Sequence, residues 1–346
     1  MKKIKIGATP TEFLNLFLVL SLLAGFMPSC KKYGSNNQSA LSPLDKMGTS
    51  TATASAVRTD TLRSPATIAF VEVNDNNIAD MGCYVSSSTG KPIVNVASIF
   101  AGNINISPTS NKPVVYLNSQ VTYLLTQTTY VKDLQAQGIK VTLALLNNHD
   151  ASGWSDFADS ASAAFFAQSV KTVVTKYGLD GIDIDDEYSS GTGTTASIPM
   201  AVAAIRKLLP NTYIGFYLYS DQISITSVLA YKYKDGTKFT DGISYALPDY
   251  GVSPSNYTTY LPKKKLFYTD QGSAGSSTIG SDASSAKTGG YGGIMIFNAN
   301  ASNSQTAFTA ISKSFGTGKL NTIGSSCLKA WAPPTSNAGT YIEPAP

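Results

Sequence analysis

Charge is scarce in this chain. Only 14% of its 346 residues are Asp, Glu, Lys or Arg, and 26 basic side chains against 22 acidic ones leave a net charge of +4. So weak and diffuse a balance argues against a nucleic-acid binder, which needs clustered cations to displace counterions from phosphate. Histidine occurs once and cysteine three times, which is poor material for a zinc site. No Gly-x-Gly-x-x-Gly turn is present, and with it goes the usual phosphate cradle of a doubly wound dinucleotide fold. Neither a metal nor a cofactor is expected. What the chain does hold is 42% hydrophobic and 10% aromatic residues. That is enough for one core of roughly 250 residues with short extensions, and too much for wholesale disorder.

The first 29 residues combine Lys2, Lys3 and Lys5, an apolar run from Phe13 to Leu23, and AGFMPS immediately before Cys30. Charge, apolar run and cleavable boundary read as a secretory signal, too short for a settled transmembrane helix. The arrangement resembles a bacterial lipoprotein signal, which implies that Cys30 is lipidated and becomes the first residue. Loss of Lys2, Lys3, Lys5 and Glu12 would lower the net charge from +4 to +2. Residues 30–62, rich in Ser, Thr, Ala and Asn, read as a flexible tether, 63–318 as the globular body and 319–346 as a C-terminal extension. Similarity to lipoprotein sorting signals implies an outer-membrane protein on either the cell-surface or the periplasmic face, with a lipid anchor; the body is expected to be monomeric. Cys83 and Cys327 remain. In an oxidising compartment they can form a disulfide, and two buried free thiols are an equal alternative. The last ten residues are expected to trail.

The body repeats a short apolar run followed by a polar loop and a helix or irregular crossover. The runs cover 67–73, 94–100, 139–146, 181–185, 213–217, 242–246, 265–269 and 293–297. Eight strands within about 230 residues are the count of a closed (β/α)8 barrel. Helical spacing marks 120–138, 160–178 and 197–209, the first two ending at Gly as helices often do. The connections after strands five, six and seven look poor in long helices, so the outer ring is expected to be irregular or incomplete there.

The stretch YGLDGIDIDDEYSSG, 177–191, carries the chemistry. In a strand, a period of two puts Asp183, Asp185 and Glu187 on one face and Ile182 and Ile184 on the other. Active sites of such barrels form at the carboxyl ends of the strands, so Glu187 would project into the mouth with Asp183 deeper. Neighbouring carboxylates raise one another's pKa, the property wanted in a proton donor. A solvated acidic loop and a Ca²⁺ site are the alternatives, and alternation beside isoleucines favours the interior row.

The signature Asp180, Gly181, Asp183, Asp185, Glu187 resembles that of glycoside hydrolase family 18. More narrowly, the segments FVEVNDNN, FAGNINI, LQAQGIKVTLALLNNHD and GYGGIMIFNAN are similar to the family's endo-β-N-acetylglucosaminidases of the endoglycosidase H type. The resemblance implies a retaining, substrate-assisted hydrolysis of the GlcNAc-β1,4-GlcNAc core of N-linked glycans. Glu187 would be general acid/base, Asp185 would orient the substrate's N-acetyl group, Asp183 would be the deeper proton-sharing partner, and Tyr250 would support the acetamido group. His149, Asn147, Tyr217 and Asn298 are the expected sugar contacts. Asp186 stands where the family's chitinases commonly have Trp, and Phe297–Asn298 ends strand eight where they place another, which disfavours chitin. Leu247, Pro248 and Asp249 depart from the endoglycosidase H pattern. A chitinase-like hydrolase and a non-hydrolytic glycan binder are the rival functions.

Overall fold

Each of the eight apolar runs becomes a strand, because alternate side chains have two different places to be buried. In the computed structural model, which describes residues 62–189, 193–321, 327–335 and 339–345, inward side chains fill a barrel interior around Ile68, Phe70 and Met295. Outward ones such as Ile182 and Ile184 join the larger apolar layer under the helices. Cys30 and residues 1–61 lie outside the described residues.

The barrel strands are β1 (Ala66–Glu72), β2 (Val96–Ile106), β4 (Lys140–Asn147), β5 (Gly181–Asp186), β6 (Tyr213–Ser220), β7 (Tyr245–Pro248), β8 (Phe267–Gln271) and β9 (Gly293–Phe297). They pair in parallel in the order β7-β6-β5-β4-β2-β1-β9-β8. A parallel bridge between Ala246 and Leu266 links the two ends. The result is the expected (β/α)8 barrel, nearly closed.

The outer ring departs from regularity partly where expected. After β6 there are only the five-residue helix α5 (Ile225–Leu229) and a 3₁₀ turn, and after β7 only short 3₁₀ turns. After β8, contrary to expectation, helix α6 (Ser276–Gly289) runs 14 residues. Its Ser- and Gly-rich sequence has weak intrinsic helix propensity, and it is held by burial of Ile279, Ala283 and Ala286. The segment 120–138 divides into α1 (Ser119–Gln127) and α2 (Tyr130–Ala136). The break falls at Thr128 and Thr129, where Thr128 Oγ1 turns back to the Leu124 carbonyl at 2.7 Å. Helices α3 (Ser160–Tyr177), α4 (Ser197–Leu208) and α7 (Ser304–Phe315) complete the ring.

Beyond the barrel, β2 continues into an antiparallel hairpin with β3 (Pro113–Leu117), and β10 (Thr340–Ile342) adds a third strand on β3. Residues 340–342 therefore do not trail. A disulfide joins Cys83 to Cys327. Beside it, Lys329 N–H donates to Asp80 Oδ1 at 3.0 Å and Trp331 Nε1–H to the Val73 carbonyl at 2.6 Å. The extension is fastened because it finds backbone partners and an aromatic seat against Tyr123 and Tyr130.

Candidate active site

The outward isoleucines of β5 fix its register, so Asp183 and Asp185 turn inward and Glu187 arrives at the carboxyl-end mouth. Asp183 is deepest, 1% exposed. Its Oδ2 accepts hydrogen bonds from Ser98 Oγ at 2.7 Å and Thr142 Oγ1 at 2.6 Å, and its Oδ1 accepts from Tyr245 OH at 2.6 Å. These hydroxyls come from β2, β4 and β7, so barrel closure builds the socket. Burial pushes the Asp183 carboxyl above its ordinary range while the three donors oppose the shift. Gly215 in β6 keeps the socket open, since a Cβ there would lie 2.0 Å from Asp183 Oδ1.

Asp185 is buried too, yet its Oδ1 has no hydrogen-bond partner among the described residues. Burial first, then the charges of Glu187, Asp186, Asp183 and Asp221, hold its carboxyl well above the usual carboxylate range. Glu187 is half-buried, and burial followed by the charges of Asp221 and Asp249 raises its carboxyl as well. An acid at the mouth whose pKa is raised is suited to protonate a leaving oxygen.

Asp221 and Asp249, to which the sequence reading assigns no role, are the neighbours that matter here. Asp221 accepts from the Tyr188 N–H at 2.7 Å and from Tyr219 OH at 2.6 Å. Asp249 accepts from the Tyr250 N–H at 2.7 Å and from Tyr217 OH. Both sit in loops that reach the acid row only through the fold. Ser98 and Thr142 carried a readable signal: they are polar positions inside apolar runs, and they pair across β2 and β4.

Aromatic rings form the apolar part of the site. Phe100 meets Phe297 edge to face at 5.0 Å, Phe297 lies 6.3 Å from Tyr250, and Tyr250 lies 6.0 Å from Tyr217. Burial, then the charges of Asp185 and Glu187, raise the Tyr250 phenol, so this tyrosine shares the electrostatic environment of the acid pair and remains a hydrogen-bond donor.

The rings of His149 and Tyr188 meet at 4.5 Å with their planes tilted by 44°, and Tyr188 is 47% exposed beside Glu187. His149, Ala151, Tyr188 and Asn298 all have left-handed backbone, and all lie in loops at the carboxyl ends of strands. Asn298 Oδ1 accepts from Asn76 Nδ2 at 3.4 Å, and its carbonyl from Asn303 Nδ2 at 2.9 Å. Asn147 is placed within the wall. It is 1% exposed, its Nδ2 donates to Ser189 Oγ, and its Oδ1 accepts from the Trp154 N–H at 3.1 Å.

The chain is 36% identical over 250 residues to the endo-beta-N-acetylglucosaminidase of Flavobacterium sp. (strain SK1022), covering 69% of this chain and 77% of the relative. It is 35% identical over 241 residues to endo-beta-N-acetylglucosaminidase F1 of Elizabethkingia meningoseptica, covering 66% and 69%. The crystal structure of Bacteroides thetaiotamicron EndoBT-3987 in complex with Man9GlcNAc2Asn substrate has a TM-score of 0.65 to this chain at 22% identity, covering 84% of this chain and 72% of that one. That is a likeness of fold. The sequence model for Glycosyl hydrolases family 18 matches residues 66–251, from the first barrel strand to just past Tyr250. Since this match spans more than half the chain and includes the whole acid row, the chain belongs to glycosyl hydrolases family 18.

Proposed function

We propose that the protein is a retaining endo-β-N-acetylglucosaminidase that cuts the GlcNAc-β1,4-GlcNAc core of N-linked glycans and leaves one GlcNAc on the glycoprotein. The observation that carries this reading is the bare Oδ1 of Asp185, a buried carboxyl oxygen between a saturated Asp183 and the acid at the mouth. A buried polar atom without a partner is costly and rare, and a ligand that supplies the partner relieves the cost. The amide N–H of a substrate N-acetyl group is such a donor. The activity for which both relatives are named agrees with it.

The chemistry then needs no protein nucleophile, unlike the ordinary retaining glycosidase with two working carboxylates. Asp185 orients the acetamido group so that its oxygen attacks the anomeric carbon. Glu187 gives its proton to the glycosidic oxygen as that C–O bond breaks. The sugar is left as an oxazolinium ion, whose positive charge favours the ionised form of Asp185. Glu187, now a carboxylate, takes a proton from water as the water attacks the anomeric carbon and the bond from that carbon to the acetamido oxygen breaks. Two inversions retain configuration. Tyr250 supports the acetamido oxygen, while Tyr217, His149 and Asn298 meet the sugars around it.

Mass analysis of both cut ends tests the reading. A defined Asn-linked glycoprotein should yield a glycan ending in one reducing GlcNAc and a peptide keeping the other. Cutting of chitooligosaccharides without glycoprotein release would select a chitinase, and saturable glycan binding without product would select a non-hydrolytic binder. For location, the Lys-rich start, apolar run and Cys30 support an outer-membrane lipoprotein anchored by its lipid.

A further inference from the structure

Strand β5 breaks its own pattern once. Positions 182 and 184 face outward and hold isoleucine, while position 186 continues that face and holds Asp186, with 0% of its surface exposed. A carboxylate buried outside the acid row is strongly unfavourable unless donors surround it. Four do. Oδ1 accepts from the Ser155 N–H and from Ser155 Oγ, each at 3.1 Å, and from Ser189 Oγ at 2.6 Å, while Oδ2 accepts from Ser220 Oγ at 2.5 Å.

Those serines belong to three different parts of the mouth. Ser155 follows β4, Ser189 follows β5 and Ser220 ends β6. The network extends further, since Gln222 Nε2 donates to the Ser189 carbonyl at 3.1 Å and the N–H groups of Gln222 and Ile223 donate to Ser220 Oγ at 3.2 Å each. One carboxylate thus joins three neighbouring segments.

Glu187, the next residue, has the opposite character. Burial and the charges of Asp221 and Asp249 act on its carboxyl, with no hydrogen-bond donor among the described residues. Its position is therefore set through its backbone. The regular ladder gives little help there, because the register of β5 against β6 slips between Ile184 and Asp186. Support comes from Asp186 on one side and, on the other, from the Tyr188 N–H held by Asp221.

We propose that Asp186 is a positioning residue for proton transfer, a buried hub that gathers Ser155, Ser189 and Ser220 and so holds Glu187 against the glycosidic oxygen. This rests on Glu187 being the general acid. A displacement of about 1 Å in a reacting group lowers rate by on the order of 100-fold, so a loosened hub should damage the protonation step far more than sugar binding.

The test compares one glycan on two leaving groups: an Asn-linked GlcNAc, which must be protonated to leave, and nitrophenol, which leaves without help. Asp186→Asn keeps the shape but turns one acceptor oxygen into an amide donor facing the serine donors. It should lower kcat on the glycopeptide by about 10–100-fold, with KM and the single-turnover rate of nitrophenol release, which reports only the step that needs no proton, each changed less than about threefold. Glu187→Gln is the benchmark and should show the same contrast more strongly. Equal losses on both leaving groups for Asp186→Asn, or no loss on either, would overturn the positioning role while leaving the acid assignment intact. If Glu187→Gln itself shows no contrast, the acid assignment fails instead. Should Asp186→Asn not fold, Ser220→Ala and Ser155→Ala each remove part of the hub and should give the same selective loss on a smaller scale. Nonselective or absent loss in both would refute the proposal.

Discussion

Removing one oxygen atom from Tyr245 probes how the barrel holds its deepest acid. Tyr245 is 1% exposed and its OH, at 2.6 Å, is the only hydrogen-bond donor to Asp183 Oδ1 among the described residues, while both other donors reach Oδ2. Tyr245→Phe therefore strips Oδ1 of this donor at a buried position. A hydrogen bond to a charged group contributes about 1.5–3 kcal/mol, and the volume lost is too small to add much of a cavity term. For a chain of this size each kcal/mol shifts Tm by about 2–4 °C, so a fall of several degrees is expected.

The pH dependence gives a sharper signature. The folded-state carboxyl of Asp183 is already raised, so its contribution to stability is present below the unfolded value of about 3.9 and lost as pH rises through the folded one. Phe removes a donor that favours the ionised form and raises the folded value further. The stability gap between variant and wild type should widen with rising pH and narrow in acid. Tyr233→Phe is the control, because Tyr233 OH donates to the neutral Pro199 carbonyl at 2.9 Å and its loss should cost about 1 kcal/mol. Urea denaturation at several pH values measures both. A Tyr245→Phe cost below about 0.5 kcal/mol at neutral pH, against the range above, or a gap that grows toward acid, would refute the reasoning.

Four further outcomes are expected. Glu187→Gln should fold and bind glycan but lose about 10²–10⁴-fold in turnover, because an amide cannot supply the proton; steady-state kinetics on a glycopeptide decide it. Asp221→Asn removes a negative charge that raises the Glu187 carboxyl, so Glu187 ionises at lower pH and the alkaline limb of the kcat profile should move to lower pH. Cys83→Ser, which opens a bridge spanning 244 residues, should cost about 2–4 kcal/mol in denaturant titrations, and reductant should reproduce the loss in the wild type. Palmitate labelling in the native host should depend on Cys30, and equal labelling of Cys30→Ala would defeat the anchor proposal.

The acid row was legible because it is local. Period-two alternation needs only consecutive residues, and isoleucines at 182 and 184 assign the faces without reference to any other strand. Short apolar runs, which are also local, located all eight barrel strands, and their number named the architecture. Helix α6 was hidden because its Ser-rich sequence becomes helical through burial of Ile279, Ala283 and Ala286, which no local propensity reports. The pairing of β10 with β3 and the choice between disulfide and free thiols depend on segments more than 200 residues apart meeting in space.

Sequence by itself determined which residues carry charge into the barrel: Asp183, Asp185 and Glu187 follow from spacing alone. Only tertiary structure decided what surrounds each acid. Parallel register brings Ser98, Thr142 and Tyr245 from three strands onto Asp183 and leaves Asp185 Oδ1 bare, while loops deliver Asp221 and Asp249 beside Glu187. A carboxyl's protonation is set by burial, donors and neighbouring charge within a few ångströms, and those neighbours are chosen by the closure of the barrel rather than by proximity in the chain.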